Sequence, residues 1–310
     1  VNGVGTTVTA GASDSNDTIR DALISKLNLN QGLVAYYPFN GNVNDQSGNG
    51  NNLSSSGNLS QLTNDRNNSA ASAFYLRGST FSTDGVSLAN SSLSVSFWVK
   101  TNYLGNGQNG DWLSMVGDQG PQSAGKYIHV ALDLSQAKIR FSFFYDDFDI
   151  SNSVSDQQWH HVACTFDQNN MVRKIYVDGV MAGSNVAARG YSGNSRFKIG
   201  GSGAPDAIMD EVRFYNRALG ASEVATLYQV EAAGEYLAPV VASSAGAGTV
   251  RLTAARPGTP FAASLSTTGA ATVNRTSVTP NQSAGGENLT NNPIVAAEYF
   301  VNTDPGEGSG

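Results

Sequence analysis

The sequence has little charge and almost no cysteine. Only 14% of its 310 residues are charged, and the formal net charge is −7. No cluster of basic residues occurs, so neither a nucleic acid nor an anionic membrane surface is an expected partner. No apolar run approaches the ~20 residues that a membrane-spanning helix needs. The single cysteine, Cys164, excludes an internal disulfide, and its apolar surroundings predict a buried side chain.

Short apolar runs fill most of the chain. Between residues 32 and 228, roughly ten such runs alternate with turns rich in Gly, Asn and Ser, a pattern typical of an antiparallel sandwich or jelly roll. The pair Asp178-Gly179 predicts a tight hairpin turn. A short helix, GASEVATLYQ, closes the region. Low charge with abundant Gly, Ser, Thr and Asn favours a β-rich extracellular protein.

The two ends of the chain differ from the middle region in composition and in hydrophobic pattern. Residues 13–28 predict a helix, because Ile19, Leu23 and Leu27 recur every four residues and form one apolar stripe. Residues 239–310 are rich in Ala, Ser, Thr and Gly, and they contain three strand-like runs. The runs are TVRLTAA, FAASLSTT and IVAAEYFV. Neither end buries enough apolar surface to be stable alone.

The middle region resembles the concanavalin A-like, laminin G-type jelly roll of many secreted bacterial proteins. Four motifs carry the resemblance, they occur in the order of the family, and together they span about two-thirds of the chain. They are GLVAYYPFNGNVNDQSGNGNN, LSVSFWVKT, WHHVACTFD with KIYVDGV, and MDEVRFYNRALGASEV. The resemblance implies a mainly β fold, with Trp98 and Trp159 in the core.

Members of this fold family often hold a calcium ion, and the resemblance implies Asp45 and Asp210 as its carboxylate ligands. Calcium takes six to eight oxygens, which a loop dense in Asn, Gly and Ser can supply as carbonyls. The alternative is that Asp45 only caps its own turn, while Asp210 forms a salt bridge with Arg213 or Arg217.

Some enzymes of this fold are glycoside hydrolases, which need two carboxyl groups roughly 5–9 Å apart. In that family the pair is usually two glutamates on one strand, yet this chain has no glutamate before Glu211. The only carboxylate cluster is DDFD, in which Asp147 and Asp149 share a face if the strand continues. A solvated strand end or a second cation site is the competing interpretation. His160 and His161 are predicted to be packed or paired, and we expect no catalysis.

Jelly rolls of this type commonly bind glycans or proteins with their rim loops. The loops 102–112 and 144–149 combine aromatic rings, which stack on sugars, with Asp and Asn side chains that bond to hydroxyls. The candidate ligand-binding residues are Tyr103, Trp112, Phe144, Tyr145, Asp147 and Asp149. The alternative is that these aromatic rings only cap the core.

The chain ends resemble the two halves of a small α+β module found in bacterial surface proteins and phage-like appendages. The resemblance implies a split domain of residues 1–30 and 238–272, with a jelly roll of residues 31–237 inserted into it. Residues 273–310 form an extended tail, in which 294–301 is a strand without an assigned partner.

An unpartnered edge strand favours pairing with another chain. We therefore expect residues 294–301 to pair with a neighbouring copy in a head-to-tail assembly. The function would be that of an extracellular, cell-surface filament displaying an adhesive, non-catalytic jelly roll. The alternatives are a monomeric glycan-binding module of a larger secreted protein and a glycoside hydrolase. For the strand itself, the alternative is that it folds back onto its own domain.

Overall fold

The structure of the chain is a computed structural model that divides into two compact units. One unit is residues 32–229, and the other joins the chain ends, residues 1–31 and 230–310. Within the described residues, no helix is long and apolar enough to cross a membrane. The residues that the structure describes are 28–55, 61–76, 80–101, 112–118, 121–151, 154–194, 196–200, 207–234, 240–246, 249–254, 275–278 and 296–300.

The described residues are mostly strands, as the alternating apolar runs predict. A short 3-10 helix, Asn28–Asn30, precedes them, and the α-helix α1, Ala221–Ala232, follows the fifteenth. The strands are β1 (Leu33–Tyr37), β2 (Ser54–Ser55), β3 (Leu62–Thr63), β4 (Ala73–Tyr75), β5 (Phe81–Thr83), β6 (Leu93–Thr101), β7 (Trp112–Asp118), β8 (His129–Asp133), β9 (Lys138–Ser142), β10 (Asp147–Ser151), β11 (Trp159–Asp167), β12 (Val172–Val177), β13 (Val180–Val186), β14 (Phe197–Ile199), β15 (Ala207–Tyr215), β16 (Val240–Gly246), β17 (Thr249–Ala254), β18 (Arg275–Val278) and β19 (Ala296–Phe300).

Two antiparallel sheets form a sandwich in residues 32–229. The first has eight strands in the order β13–β12–β11–β6–β15–β4–β3, and β1 also pairs with β15. The second has seven strands in the order β10–β9–β8–β7–β14–β5–β2. Side chains of both sheets meet in one apolar core, to which each fully buried Phe, Val or Leu contributes about 1.5–3 kcal/mol. The predicted jelly-roll architecture is confirmed.

Both faces of the eight-stranded sheet are buried at its centre, where β6, β11 and β15 lie side by side. Phe97 and Cys164 face the core, whereas Trp98 and His161 lie buried on the opposite face. There the Trp98 ring stacks on Tyr228 of α1 at 5.5 Å, and the guanidinium of Arg66 lies 4.7 Å from the Trp98 ring centre. The predicted burial of Trp98 and Cys164 is thus confirmed.

Trp159 is only partly buried, so its prediction as a core residue was wrong. It is the first residue of β11 and pairs with Lys100 near the end of β6, so it lies at the end of the sheet and not at its centre.

The chain-end unit contains a third sheet, in the order β16–β17–β19–β18. Its strand β19 falls within 294–301 and pairs with β17 and with β18 of the same chain. The prediction that this strand lacks a partner was wrong, because both of its edges are hydrogen-bonded within the chain. The fold-back alternative describes the structure.

Other predictions for the ends lie outside the described residues. These are the helix at 13–28, apart from Asn28, and the run FAASLSTT. The division into a split domain of residues 1–30 and 238–272, a jelly roll of 31–237 and a tail of 273–310 stays a prediction.

The hairpin between β12 and β13 turns at Asp178 and Gly179, as predicted, and both residues have positive φ, 50° and 78°. A Cβ on Gly179 would lie 3.1 Å from Cδ1 of Tyr228 and 3.3 Å from the Cα of Ala225. This turn therefore requires glycine for two reasons, its backbone conformation and its contact with α1.

We expect Gly179→Ala to lower the free energy of unfolding by about 2–4 kcal/mol, through the positive φ and the crowding of α1. Gly50→Ala is the matched control, since Gly50 has φ +77° and no heavy atom within 4 Å of an added Cβ. It should lose only the backbone part, about 1–2 kcal/mol. Denaturant unfolding measures both variants, and equal losses would show that α1 does not crowd this turn.

Candidate functional site

The hairpin between β9 and β10 ends in an exposed pair of aromatic residues. Ser142 pairs with Asp147, and between them Phe144 and Tyr145 both have positive φ, 52° and 56°. Two successive residues in this conformation make the tight turn that normally carries Asn-Gly. Each non-glycine residue there costs about 1–2 kcal/mol. Tyr145 is nevertheless 80% exposed, so this strain is not explained by burial of the ring.

Contacts on both sides of the pair hold this turn in place. The Phe143 ring is fully buried and packs edge-on against the rings of Phe141, at 5.2 Å, and Phe166, at 4.8 Å. The Phe143 amide donates to the carbonyl of Asp146 across the turn, at 3.3 Å. The aromatic pair therefore stands on a base embedded in the core.

Four aromatic side chains form a row that leads from the tip onto the outer face of the seven-stranded sheet. The ring centres of Tyr145 and Phe144 are 4.6 Å apart, those of Phe144 and Tyr127 5.9 Å, and those of Tyr127 and His129 6.2 Å. Gly117 pairs with His129, and a Cβ there would lie 3.3 Å from the Tyr127 hydroxyl. We call Tyr127, His129, Phe144 and Tyr145 the aromatic row.

A polar strip runs beside the aromatic row on β9 and β10. Arg140 donates to Asp149 through Nε at 2.7 Å and Nη2 at 2.8 Å, and its Nη1 lies 2.9 Å from Asp147. The Ser142 hydroxyl donates to the other oxygen of Asp147 at 2.5 Å. The prediction that Asp147 and Asp149 share a face is confirmed, because β10 alternates between exposed and buried residues.

The pKa of His129 is lower than that of a free imidazole. Burial lowers its pKa, and the neighbouring positive charge of Arg140 lowers it further. At neutral pH the ring is therefore uncharged, so one nitrogen donates and the other accepts hydrogen bonds. The row thus ends in a neutral polar ring.

The structure brings together part of the predicted ligand-binding set. Phe144, Tyr145, Asp147 and Asp149 lie on one hairpin. Tyr103 lies outside the described residues, as does the side chain of Trp112, and the role of both stays a prediction. The sequence analysis missed Tyr127 and His129, although their spacing of two residues, just before and at the first residue of β8, was a usable signal for a shared face.

Asp45 is saturated with protein donors. One of its oxygens accepts the amides of Tyr36 at 3.0 Å and Ser47 at 2.8 Å. The other accepts the Ser47 hydroxyl at 2.8 Å and the Asn51 amide at 2.9 Å. These four donors would face a cation with hydrogens and not with lone pairs, so the surroundings of Asp45 do not fit a calcium ion.

Asp210 is also occupied by protein donors. It is buried, and one of its oxygens lies 2.6 Å from Nη1 of Arg66. The other accepts the amide of Glu211 at 2.8 Å. The salt-bridge alternative named Arg213 or Arg217 as partner, whereas the structure shows Arg66. Among the described residues, no group of three or more His, Cys, Asp or Glu side chains is arranged to hold a metal ion.

The two adjacent histidines and the cysteine are hydrogen-bonded or buried. His160 bonds to Asp178 at 2.8 Å and to Asp156 at 3.0 Å, and the bond to Asp178 is the main reason that its pKa is raised. Burial lowers the pKa of His161 to about 3. Burial also raises the pKa of Cys164. His160 is therefore paired and His161 packed, as predicted.

The comparison with protein families agrees with this geometry. Residues 77–225 match the family model described as the concanavalin A-like lectin/glucanases superfamily. This match confirms the predicted resemblance of the sandwich to the concanavalin A-like, laminin G-type jelly roll. No curated protein matches the chain.

Several solved structures similar to this chain are toxin binding domains. The binding domain of Paraclostridial Mosquitocidal Protein 1 is 20% identical over 66% of this chain and 53% of its own length, with a TM-score of 0.54. A structure of botulinum neurotoxin type C, whose cell entry depends on interaction with two ganglioside molecules, is 13% identical over 65% and 52% of the two chains, with a TM-score of 0.52.

The binding domain of botulinum neurotoxin DC, in complex with rat synaptotagmin II, is 14% identical over the same shares, with a TM-score of 0.51. The chain spans about half the length of these solved structures. What these structures share with it is the fold.

Calcium at Asp45 and Asp210 stays a prediction, and their contacts lead us to expect that excess chelator leaves the melting temperature unchanged. The physical reason is that protein donors already occupy the oxygens of both carboxylates, which a calcium ion would need as ligands. Scanning calorimetry of the chain with EDTA and with added calcium measures this. Stabilisation by calcium that EDTA reverses would contradict the expectation and support a metal site.

Proposed function

We propose that the laminin G-type jelly roll is a non-catalytic, extracellular binding module that recognises a glycan with the aromatic row and the polar strip beside it. The observation that carries the proposal is the strained turn at Phe144 and Tyr145. Strain of this kind persists where the surrounding structure enforces it, and it clusters at functional sites.

The chemistry of the site suits a saccharide. Aromatic rings offer flat apolar faces, and the row presents them from the exposed Tyr145 to the partly buried Tyr127. Asp147 and Asp149 accept hydrogen bonds from hydroxyls, and Arg140 donates them. An apolar surface with a few fixed polar groups is what small-molecule sites generally use for affinity and orientation.

Two further observations support a binding role. One solved structure of the same fold is the binding domain of a mosquitocidal protein, and another belongs to a neurotoxin whose cell entry depends on interaction with two ganglioside molecules. Both carboxylates of the DDFD cluster that face the strip are ion-paired with Arg140, so neither stands free to protonate a glycosidic oxygen. A protein ligand is the second candidate, because another neighbour is found in complex with synaptotagmin.

The double substitution Phe144→Asn with Tyr145→Gly tests whether the two aromatic residues, which strain the turn backbone, are needed for ligand binding. Asn-Gly is the preferred pair for this turn, so we expect the free energy of unfolding to rise by about 1 kcal/mol. Binding to an array of ganglioside and neutral oligosaccharides should fall at least about tenfold, because both rings are lost. Denaturant unfolding and array titration measure the two effects.

The matched control is Ala137→Gly in the neighbouring hairpin between β8 and β9, where Ala137 has φ 49°. It should stabilise the chain without changing array binding. If the double variant is less stable than wild type and still binds the array, the rings cap the core, which is the structural alternative. Absence of array binding by well-folded wild type would refute the glycan proposal.

Head-to-tail assembly into a surface filament stays a prediction, and it now requires strand exchange. In an exchange, β19 would leave β17 and β18 of its own chain and pair with the same strands of a neighbour. We expect deletion of residues 290–310 to abolish any assembly seen by sedimentation at high concentration. Assembly that survives the deletion, or a wild type that stays monomeric, contradicts the filament.

A further inference from the structure

We propose that Arg173 and Asp146 are positioning residues that fix the exposed aromatic tip in its binding shape. This inference rests on the proposed function, since it explains how Phe144 and Tyr145 are kept ready for a saccharide. It concerns a buried ion pair that makes no contact with solvent on the arginine side. We call Arg173 and Asp146 the anchor.

The anchor connects the two sheets. Arg173 belongs to β12 of the eight-stranded sheet, and its side chain is 0% exposed. Its Nη2 lies 3.0 Å from the carboxylate of Asp146, which directly follows the aromatic pair. Its Nη1 donates to the carbonyls of Asp146 at 2.5 Å and Phe141 at 3.3 Å. One guanidinium thus holds the backbone and the side chain of the turn.

The rest of the arginine is held equally firmly. Nε donates to Oδ1 of Asn185 on β13, at 3.1 Å. The guanidinium carbon lies 5.3 Å from the ring centre of Phe143 and 5.8 Å from that of Phe148. These contacts leave the fork little freedom, so the position of Asp146 follows from the position of β12.

The carboxylate of Asp146 extends the anchor to one further segment. Its second oxygen accepts the amides of Ala188 at 3.0 Å and Arg189 at 3.3 Å. A separate hydrogen bond links the turn to the segment that precedes β8: the Gly125 amide donates to the Phe143 carbonyl at 2.6 Å. The anchor therefore holds the turn that carries Phe144 and Tyr145, and the Gly125 amide joins that turn to the segment of Tyr127 and His129.

A contribution to folding stability does not by itself explain the buried ion pair. An ion pair in an apolar interior gives up the hydration of both charges, and an apolar pair of similar volume is often as stable or more stable. Buried polar groups of this kind specify one conformation in several proteins. Here the conformation specified is a turn that its own sequence, Phe-Tyr, disfavours. A turn fixed before binding loses less conformational entropy when a saccharide arrives.

Digestion of the full chain with chymotrypsin tests the anchor, because this protease cuts after Phe and Tyr and needs a mobile segment. Arg173→Lys keeps the charge but replaces the planar fork with a single ammonium, which does not span the three acceptors of the turn. We expect cleavage after Phe144 or Tyr145 to become about tenfold faster, with an unchanged rate at other sites.

A second variant guards against misfolding of the first. Arg173→Met with Asp146→Asn removes both charges and leaves no unpaired buried ion. Its melting temperature should stay near that of wild type, while the tip is cut about tenfold faster and binding to the oligosaccharide array weakens about tenfold. The control Asp84→Ala removes an exposed ion pair with Arg196 on the same sheet and should leave tip cleavage unchanged.

Tip cleavage at the wild-type rate in either folded variant would overturn the anchor. Faster tip cleavage in the variants supports it even when the wild type binds no oligosaccharide, and that result would contradict only the proposed function. Faster cleavage at every site, together with a lowered melting temperature in the double variant, would show that the pair serves global stability and would also overturn the proposal.

Discussion

The need to bury both faces of the eight-stranded sheet at its centre limits the surface that is left for binding. At its centre, β6, β11 and β15 carry large side chains on both faces, and each face has its own cover. The second sheet covers one, while Tyr228 of α1 and Arg66 cover Trp98 on the other. A polar outer surface with exposed aromatic rings is therefore found on the seven-stranded sheet, which is where the candidate site lies.

The sequence predicts local features better than long-range contacts. Asp178-Gly179 was recognisable as a hairpin turn because its residue types tolerate positive φ. Phe144-Tyr145 was recognisable as an exposed aromatic loop, but its turn type was not, because neither residue favours that conformation. What enforces the turn is Arg173, 27 positions beyond Asp146 along the chain, so no local pattern reveals it.

The two carboxylates predicted to bind calcium show the same difference between local patterns, which the sequence reveals, and long-range contacts, which it does not. A loop of Asn, Gly and Ser around one Asp fits a metal loop and a self-bonded loop equally well, since both need oxygen acceptors and flexible backbone. In the structure, the carboxylate oxygens of Asp45 accept hydrogen bonds from donors of the same loop and of β1. Arg66, which pairs with Asp210, is 144 positions away along the chain, and only the fold brings the two together.

The burial of Cys164 has a practical consequence. The chain contains no other cysteine, and this thiol is buried in the core with a raised pKa. Thiol reagents react with an exposed thiolate, so we expect the native chain not to react with maleimides. A cysteine introduced at an exposed position such as 145 would then be the sole labelled atom, and a spin label or fluorophore there would report the motion of the hairpin without background from the rest of the molecule.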